Sequence, residues 1–379
     1  MGGARGARKR RGPRAAGTGL ALALTAALTA ACGGGSGSSG SGGADGEEGG
    51  GGPVRVAACE GAEIRLPAPA SRIVTSDAAA LEILLRLGAG DRVIGTGFPP
   101  APGALPADLD ARARDVPVLG ETLIDRETLL ASGADAYVES FVHSSDGGAT
   151  GRPTDEEFAA AGVTPVPLLA TACDPAASER QDNLTLVEED ILRLGTLTGT
   201  AERAAELIAE MEQRLAPVRA FTAGVPQAER PDYFLFDYDA GTRQPMAVCN
   251  RQTGHAVITE AGARNVFASC DEAFRPTGWE EVVAADPDWI QLAVRARGSE
   301  AEREQAFDEA EEFLRTFAGT RDLAAVREGR FLRIGSEETT LAGVRTAETA
   351  REIAEALYPG RIDGANEADG SAETGGEGR

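Results

Sequence analysis

Two stretches of the chain, 153 positions apart, carry one pattern without a gap: ETLLASGADAYV from Glu127 to Val138 and EEVVAADPDWIQ from Glu280 to Gln291. Each begins on a glutamate, carries an apolar pair (Leu129 with Leu130, Val282 with Val283) and reaches a turn that sets an aspartate before an apolar run. A short amphipathic helix feeding a buried parallel strand has this form. Looser echoes lie upstream of each copy, where ILLRLGAGDRVIGTG (Ile83 to Gly97) and AVITEAGARNVFA (Ala256 to Ala268) both read as helix, glycine turn and short strand. The repetition predicts an α/β fold of two similar sheet-and-helix lobes.

Around the first copy, the strand-forming runs EIRLPA, RIVTS, RVIGTG, AYVES and VTPVPLL alternate with helical stretches, which predicts a mostly parallel sheet in a lobe over 54–198. From Leu184 to Ala223 the strand signal stops. With Thr200 as N-cap, apolar residues recur at Ala204, Leu207, Ile208, Met211, Leu215 and Val218, one face of a long helix over 199–222. At 1.5 Å per residue it spans about 30 Å, enough to run from one lobe to the next. A second lobe over 223–361 then contains DYFLFDYD, DWIQLAV and GRFLRIG and closes with the helix TAETAREIAEALYP, stopped at Pro359. The length of 379 residues and the 42% hydrophobic content suffice for two cores.

The ends differ from this body. Arg5, Arg8, Lys9, Arg10, Arg11 and Arg14 precede an uncharged Ala- and Leu-rich run to Ala31, the form of an export signal over 1–31. Its ending, LTAAC, is similar to a bacterial lipobox, which implies cleavage before Cys32 and lipidation of its sulfur; Thr29 departs from the usual leucine. A plain cleaved signal or a signal anchor is the alternative. The Gly/Ser-rich stretch over 32–53 reads as a tether, and its 21 residues after Cys32 have a reach on the order of 25 Å. No later run is long and apolar enough to span a bilayer, so lipid on Cys32 is the expected membrane contact. Removing the six basic residues of the leader takes the formal net charge from -23 to -29, which argues against nucleic acid as a partner. The Gly- and Glu-rich 362–379 reads as a disordered acidic tail.

Apart from Cys32, four cysteines remain in an exported chain, an even number that suits two disulfides. Pairing within lobes joins Cys59 to Cys173 and Cys249 to Cys270; the spacing alone does not fix this connectivity. Free thiols or a metal site are the competing reading, against which stand the lack of a CxxC and only two histidines, His143 and His255. Neither a resident metal nor a cofactor is expected.

The succession RIVTSDAAALEILLRLGAGDRVIGTG, VPVLGETLIDRETLLASGADAYV, ILRLGTLTGTAERAAELI, ITEAGARNVFA, GWEEVVAADPDWI and LAAVREGRFLRI resembles the substrate-binding lipoproteins of bacterial ABC importers for iron-siderophore, haem and cobalamin complexes. The resemblance covers most of the chain after the tether. It implies two lobes joined by one long helix, a ligand cleft between them, action as a monomer and little closure compared with hinge-strand binding proteins. It also implies one permease-docking glutamate per lobe, matched here by Glu127 and Glu280, with Glu281 adjacent to the second. Cys59 before a glutamate and glycine, and Cys173 after a strand, resemble an actinobacterial branch in which the two are bridged. The segment DAGTRQPMAVCNRQTGHAV, with Cys249, departs from that branch.

In open α/β sheets ligands lie beyond the carboxyl ends of strands. The candidates there are Ser76, Asp77, Phe98, Glu121, Thr122, Ser140, Phe141 and His143 in the first lobe, and Asp237, Tyr238, Arg251, Trp279, Arg295 and Arg297 in the second. Aromatics suit a large planar or catecholate ligand and arginines an anionic one, so an Fe(III)-siderophore is the first expectation, with cobalamin, haem or a deazaflavin precursor as alternatives. Phenylalanines such as Phe98 and Phe141 more often pack within a lobe than line a ligand, and solvated charge near a strand end is the competing reading of Arg295 and Arg297. A bare zinc or manganese cargo needs several His and carboxylate ligands, for which two separated histidines do not suffice. An extracytoplasmic enzyme is the main reading of another class, but no GxGxxG, GxSxG or HExxH supports it. A sensor or adhesin domain would share the anchor without needing paired glutamates.

Overall fold

In the computed structural model, which describes residues 52–141, 151–174, 178–238, 243–295 and 298–362, the first lobe is built on five parallel strands. Their order across the sheet is Val118–Gly120, Val93–Gly97, Ile73–Thr75, Ala136–Glu139 and Thr164–Pro167. The second lobe has four parallel strands in the order Arg264–Asn265, Asp232–Asp237, Trp289–Ala293 and Phe331–Arg333. The leader, Cys32, His143, Arg297 and the tail beyond Ile362 fall outside the described residues.

The repeated pattern has a physical meaning in these sheets. Helix Arg126–Ala131 is followed by Gly133 in the left-handed region, then Asp135 and strand Ala136–Glu139; helix Trp279–Ala285 is followed by Asp286, also left-handed, then Asp288 and strand Trp289–Ala293. Asp135 donates its backbone N–H to Arg72 O at 2.8 Å, while its carboxylate accepts from the backbone N–H groups of Ser71 at 2.8 Å and Arg72 at 3.1 Å. Asp288 does the same to the other central strand: its N–H reaches Asp232 O at 2.8 Å and its carboxylate accepts from Asp232 N at 2.8 Å. In both lobes the aspartate staples the start of one central strand to the start of its neighbour.

Three elements depart from the sequence expectation. The EIRLPA run forms Glu63–Leu66, which pairs antiparallel with Val54–Ala57 in a hairpin apart from the parallel sheet. Its alternating burial shows why: only one face meets the core, as in an antiparallel ribbon. A strand at Val118–Gly120 and an antiparallel ribbon of Met246–Val248 with Phe274–Pro276 were not expected, since runs of only three residues carry no readable period. The disulfides join Cys59 to Cys173 and Cys249 to Cys270, with Cα separations of 5.4 and 5.1 Å.

Between the lobes, helix Thr185–Thr198 ends at Gly199, whose φ of 69° glycine adopts without steric cost, and helix Ala201–Thr222 follows. Thr200 sits at the N-cap position, but its hydroxyl bonds that of Thr198 at 2.8 Å instead of capping the backbone. A side chain at Gly195 would collide with Ala204, so these two helices meet at their smallest residues. The long helix buries Ala204, Leu207, Met211, Leu215 and Val218, and helix Thr346–Leu357 of the second lobe packs on it as well. One apolar cluster therefore runs from Ile73, Leu81 and Leu84 through Leu194, Leu207 and Leu215 into Val257 and Ile353. The lobes share a core along the helix.

Replacing Asp288 or Asp135 by alanine strands backbone N–H groups that the carboxylate now satisfies, and each substitution is expected to cost about 1–2 kcal/mol in urea denaturation. The asparagine variants, which keep one acceptor oxygen, lose less.

Candidate ligand site between the lobes

The carboxyl ends of both parallel sheets open on one cavity of about 750 Å³, in the upper part of the range of roughly 300–1,000 Å³ seen for small-molecule sites. Nine residues singled out from the sequence line it: Asp77, Phe98, Glu121, Thr122, Ser140 and Phe141 from the first lobe, with Asp237, Arg251 and Arg295 from the second. Local chemistry fixes several of them. Asp77 caps helix Ala78–Arg86, its Oδ1 accepting from Ala79 N at 2.8 Å and Ala80 N at 3.0 Å. Phe98, with φ of 35°, turns its ring to within 5.6 Å of Phe141 at a 59° tilt, making an aromatic corner. The rim continues through Pro99, Pro100 and Pro102, whose fixed φ stiffens it.

Ser76 stands behind this wall instead of on it. Its buried Oγ donates to Asp77 Oδ2 at 3.0 Å and accepts from Ser140 N at 2.9 Å, tying two adjacent strand ends together. Two aromatics are also placed elsewhere. Trp279 is buried against Phe236 at 5.1 Å, Phe313 at 5.8 Å and Phe317 at 5.8 Å, and its Nε1 donates to Arg243 O at 3.0 Å. Trp279 and Val282 form the inward face of their helix, so the indole belongs to the second lobe's core. Tyr238 lies against Phe236 at 5.9 Å and Phe313 at 6.5 Å, on the side of the strand end away from Asp237.

Sequence reasoning missed part of the lining. Phe274 reaches the cavity from the antiparallel ribbon and is 44% exposed. Gln181 enters from a polar connection, Glu337 and Thr340 from helix Ser336–Thr340, and Arg345 from the turn before the last helix. None directly follows the carboxyl end of a strand in either parallel sheet. Their common signal, a polar or aromatic residue in an unpatterned loop, does not separate them from surface.

The walls carry charge of both signs, with Asp77, Glu121, Asp237 and Glu337 facing Arg251, Arg295 and Arg345. Arg345 also crosses between lobes: its Nε lies 3.0 Å from Glu82 Oε2, and its Nη1 lies 3.1 Å from Glu338 Oε1 and donates to Ala104 O at 3.0 Å. Behind Ser140, burial raises the Glu139 carboxyl above the ordinary carboxylate range against the pull of Arg152, whose Nε donates to it at 2.9 Å. The hydroxyls of Ser140 and Thr171, two residues of the first-lobe wall, are buried without a hydrogen-bond partner among the described residues. Among the described residues no cluster of His, Cys, Asp and Glu is placed to hold a metal ion.

Two α/β lobes, a single connecting helix and one shared cavity define a two-lobed binding protein. The family model described as periplasmic binding protein matches residues 73–338, and the chain belongs to that family. An extracytoplasmic placement goes with it, and no helix among the described residues is long and apolar enough to cross a membrane. Among solved structures, a periplasmic binding protein from Veillonella parvula is 22% identical with a TM-score of 0.67, covering 81% of this chain and 97% of its own. The Fe3+-hydroxamate ABC-type transport protein of Saccharomonospora viridis is 24% identical with a TM-score of 0.66, over 80% and 99%. An apo haem-binding periplasmic protein from Roseiflexus sp. RS-1 is 22% identical with a TM-score of 0.57, over 78% and 99%. Among curated proteins, no sequence matches the chain.

Exchanging Arg345 for methionine leaves buried Glu82 with Arg86 as its remaining cation. The expected loss is about 2 kcal/mol, less than for a buried charge left wholly unpaired, and is measured by urea denaturation.

Proposed function

We propose that the protein captures a metal chelate, an Fe(III)-siderophore first, in the cavity between its lobes and delivers it to an ABC import permease, held to the membrane by lipid on Cys32. The observation that carries this reading is the cavity itself: rings of Phe98, Phe141 and Phe274 and guanidiniums of Arg251 and Arg295 surround one volume large enough for a chelate. Ring faces bind a flat or catecholate surface, and guanidiniums bind its anionic oxygens. The likeness to a structure described as an Fe3+-hydroxamate transport protein supports the same cargo class. Haem is the second reading, favoured by the likeness to haem-binding proteins. It calls for an axial donor to the iron, and His143 is the residue the sequence offers.

The delivery step rests on Glu127 and Glu280, each exposed in the first turn of a short helix at corresponding places in the two lobes. Glu281 is held by Arg275 at 2.8 Å, which favours Glu280 as the docking residue of the second lobe. Both carboxylates also favour their helix starts, an effect worth only about 0.3–1 kcal/mol that does not compete with docking.

Titrating ferrioxamine B, ferric enterobactin, haemin and cobalamin against tryptophan fluorescence tests the cargo. A ferric siderophore is expected to quench, with Arg295→Ala weakening it at least about tenfold; quenching by haemin alone, lost in His143→Ala, would transfer the assignment to haem. For delivery, the pair Glu127→Lys and Glu280→Lys is expected to abolish uptake in cells while leaving the dissociation constant unchanged, and undiminished uptake would sink the docking assignment.

A further inference from the structure

The connection between Cys173 and helix Thr185–Thr198 belongs to the first lobe in sequence, yet its residues Arg180, Gln181 and Asp182 bond to the second. Arg180 Nη1 donates to Ala268 O at 3.0 Å, Gln181 N donates to Asn250 O at 2.8 Å, and Asp182 lies 3.1 Å from His255 Nε2. The centre of this strap is the Gln181 carboxamide, only 4% exposed. Its Nε2 donates to Ala170 O at 2.9 Å and to Arg251 O at 3.0 Å. An amide nitrogen has two hydrogens, and here one goes to each lobe.

Each carbonyl that receives them is itself immobilised. On the first-lobe side, Asp190 accepts from Leu169 N at 2.8 Å and Ala170 N at 3.0 Å, and pairs with buried Arg193, which donates on to Ala57 O and Pro167 O. On the other side, the disulfide Cys249–Cys270 closes the turn that presents Arg251, and Asn250 N and Arg251 N donate to Cys270 O and Glu272 O at 3.1 and 3.0 Å. Both anchored segments line the cavity. The apolar core along the long helix holds the lobes together and includes Ala170, but Asn250, Arg251 and Gln252 are not part of it. We infer that Gln181 is a positioning residue for ligand capture: its carboxamide sets the place of Arg251 relative to the first-lobe wall, and so the span across which a ligand is held.

This inference rests on the proposed role of the cavity, and the test separates the two. Gln181→Leu removes both donors at nearly constant volume, with Gln181→Met as the alternative if leucine lowers the folded yield. Affinity for ferrioxamine B is measured by fluorescence quenching in the wild type, Gln181→Leu, Arg251→Ala and the double variant, each shown folded by circular dichroism. Gln181→Leu is expected to raise the dissociation constant at least about tenfold, and the double variant to bind no more weakly than Arg251→Ala, because the glutamine acts through the arginine. Unchanged affinity in Gln181→Leu, a loss there with none in Arg251→Ala, or losses that add, would overturn it. A readout without ligand covers a wild type that binds no probe, which counts against the cargo alone. Spin labels at Glu272→Cys, exposed beside the Arg251 turn, and at Leu123→Cys, exposed next to Thr122 of the first-lobe wall, are expected to give a broader distance distribution with Gln181→Leu than without it. The same distribution in both proteins overturns the inference whatever the cargo.

Discussion

Two aspartates set the geometry on which the rest of the molecule depends. Asp135 and Asp288 each bond the first backbone groups of a neighbouring central strand. A parallel pair has no hairpin turn to define its alignment, and a slip of one residue would send every side chain to the opposite face. With the strand starts pinned, the ends follow. Thr75 lies opposite Val138, so Ser76 and Asp77 emerge beside Ser140; Asp237 lies opposite Ala293, so it emerges near Arg295. Asp77, Ser140, Asp237 and Arg295 at the cavity thus follow the far ends of strands registered at the opposite end of each sheet.

From there the structure resists opening in two ways. The apolar cluster along helix Ala201–Thr222 belongs to both lobes, so separating them would expose it to water. Polar ties add direction to that cohesion: Arg345 reaches Glu82 and Ala104 across one part of the cleft, and Gln181 joins Ala170 to Arg251 across another. The balance differs from that of binding proteins whose lobes swing on extended strands.

Much of this architecture was legible because it rests on periodicity and repetition. The copies at Glu127 and Glu280 exposed the two-lobed plan, and the apolar spacing from Ala204 to Val218 exposed the long helix. The aspartate of each copy was visible as a turn signal, but its bonds to Arg72 and Asp232 join residues 63 and 56 positions apart and follow only from the fold. The strand-end rule found Asp77, Ser140, Asp237 and Arg295. It misplaced Trp279, whose helix turns the indole inward, and Tyr238, which follows Asp237 and so takes the opposite side. It missed Phe274, Gln181 and Arg345 because each reaches the cavity from a loop or ribbon whose path the local sequence does not encode. Cysteine pairing was narrowed by lobe membership, whereas the alignment of each pair was set by segments packed far apart in sequence.

The first hairpin of the described chain, Val54–Ala57 with Glu63–Leu66, looks like a minor appendage to the first lobe. Its attachment gives it a mechanical meaning. Tension arriving from the N-terminal side would peel a lone hairpin open one hydrogen bond at a time. Here Cys59, at the hairpin's turn, is covalently joined to Cys173, and Ala57 O is held by buried Arg193 at 2.8 Å. Val56, Ile64 and Leu66 also sit in the shared core. A pull that strips Val54–Ala57 from the ribbon therefore stops at Cys59, where a covalent bond passes the load to Cys173 instead of unzipping Glu63–Leu66.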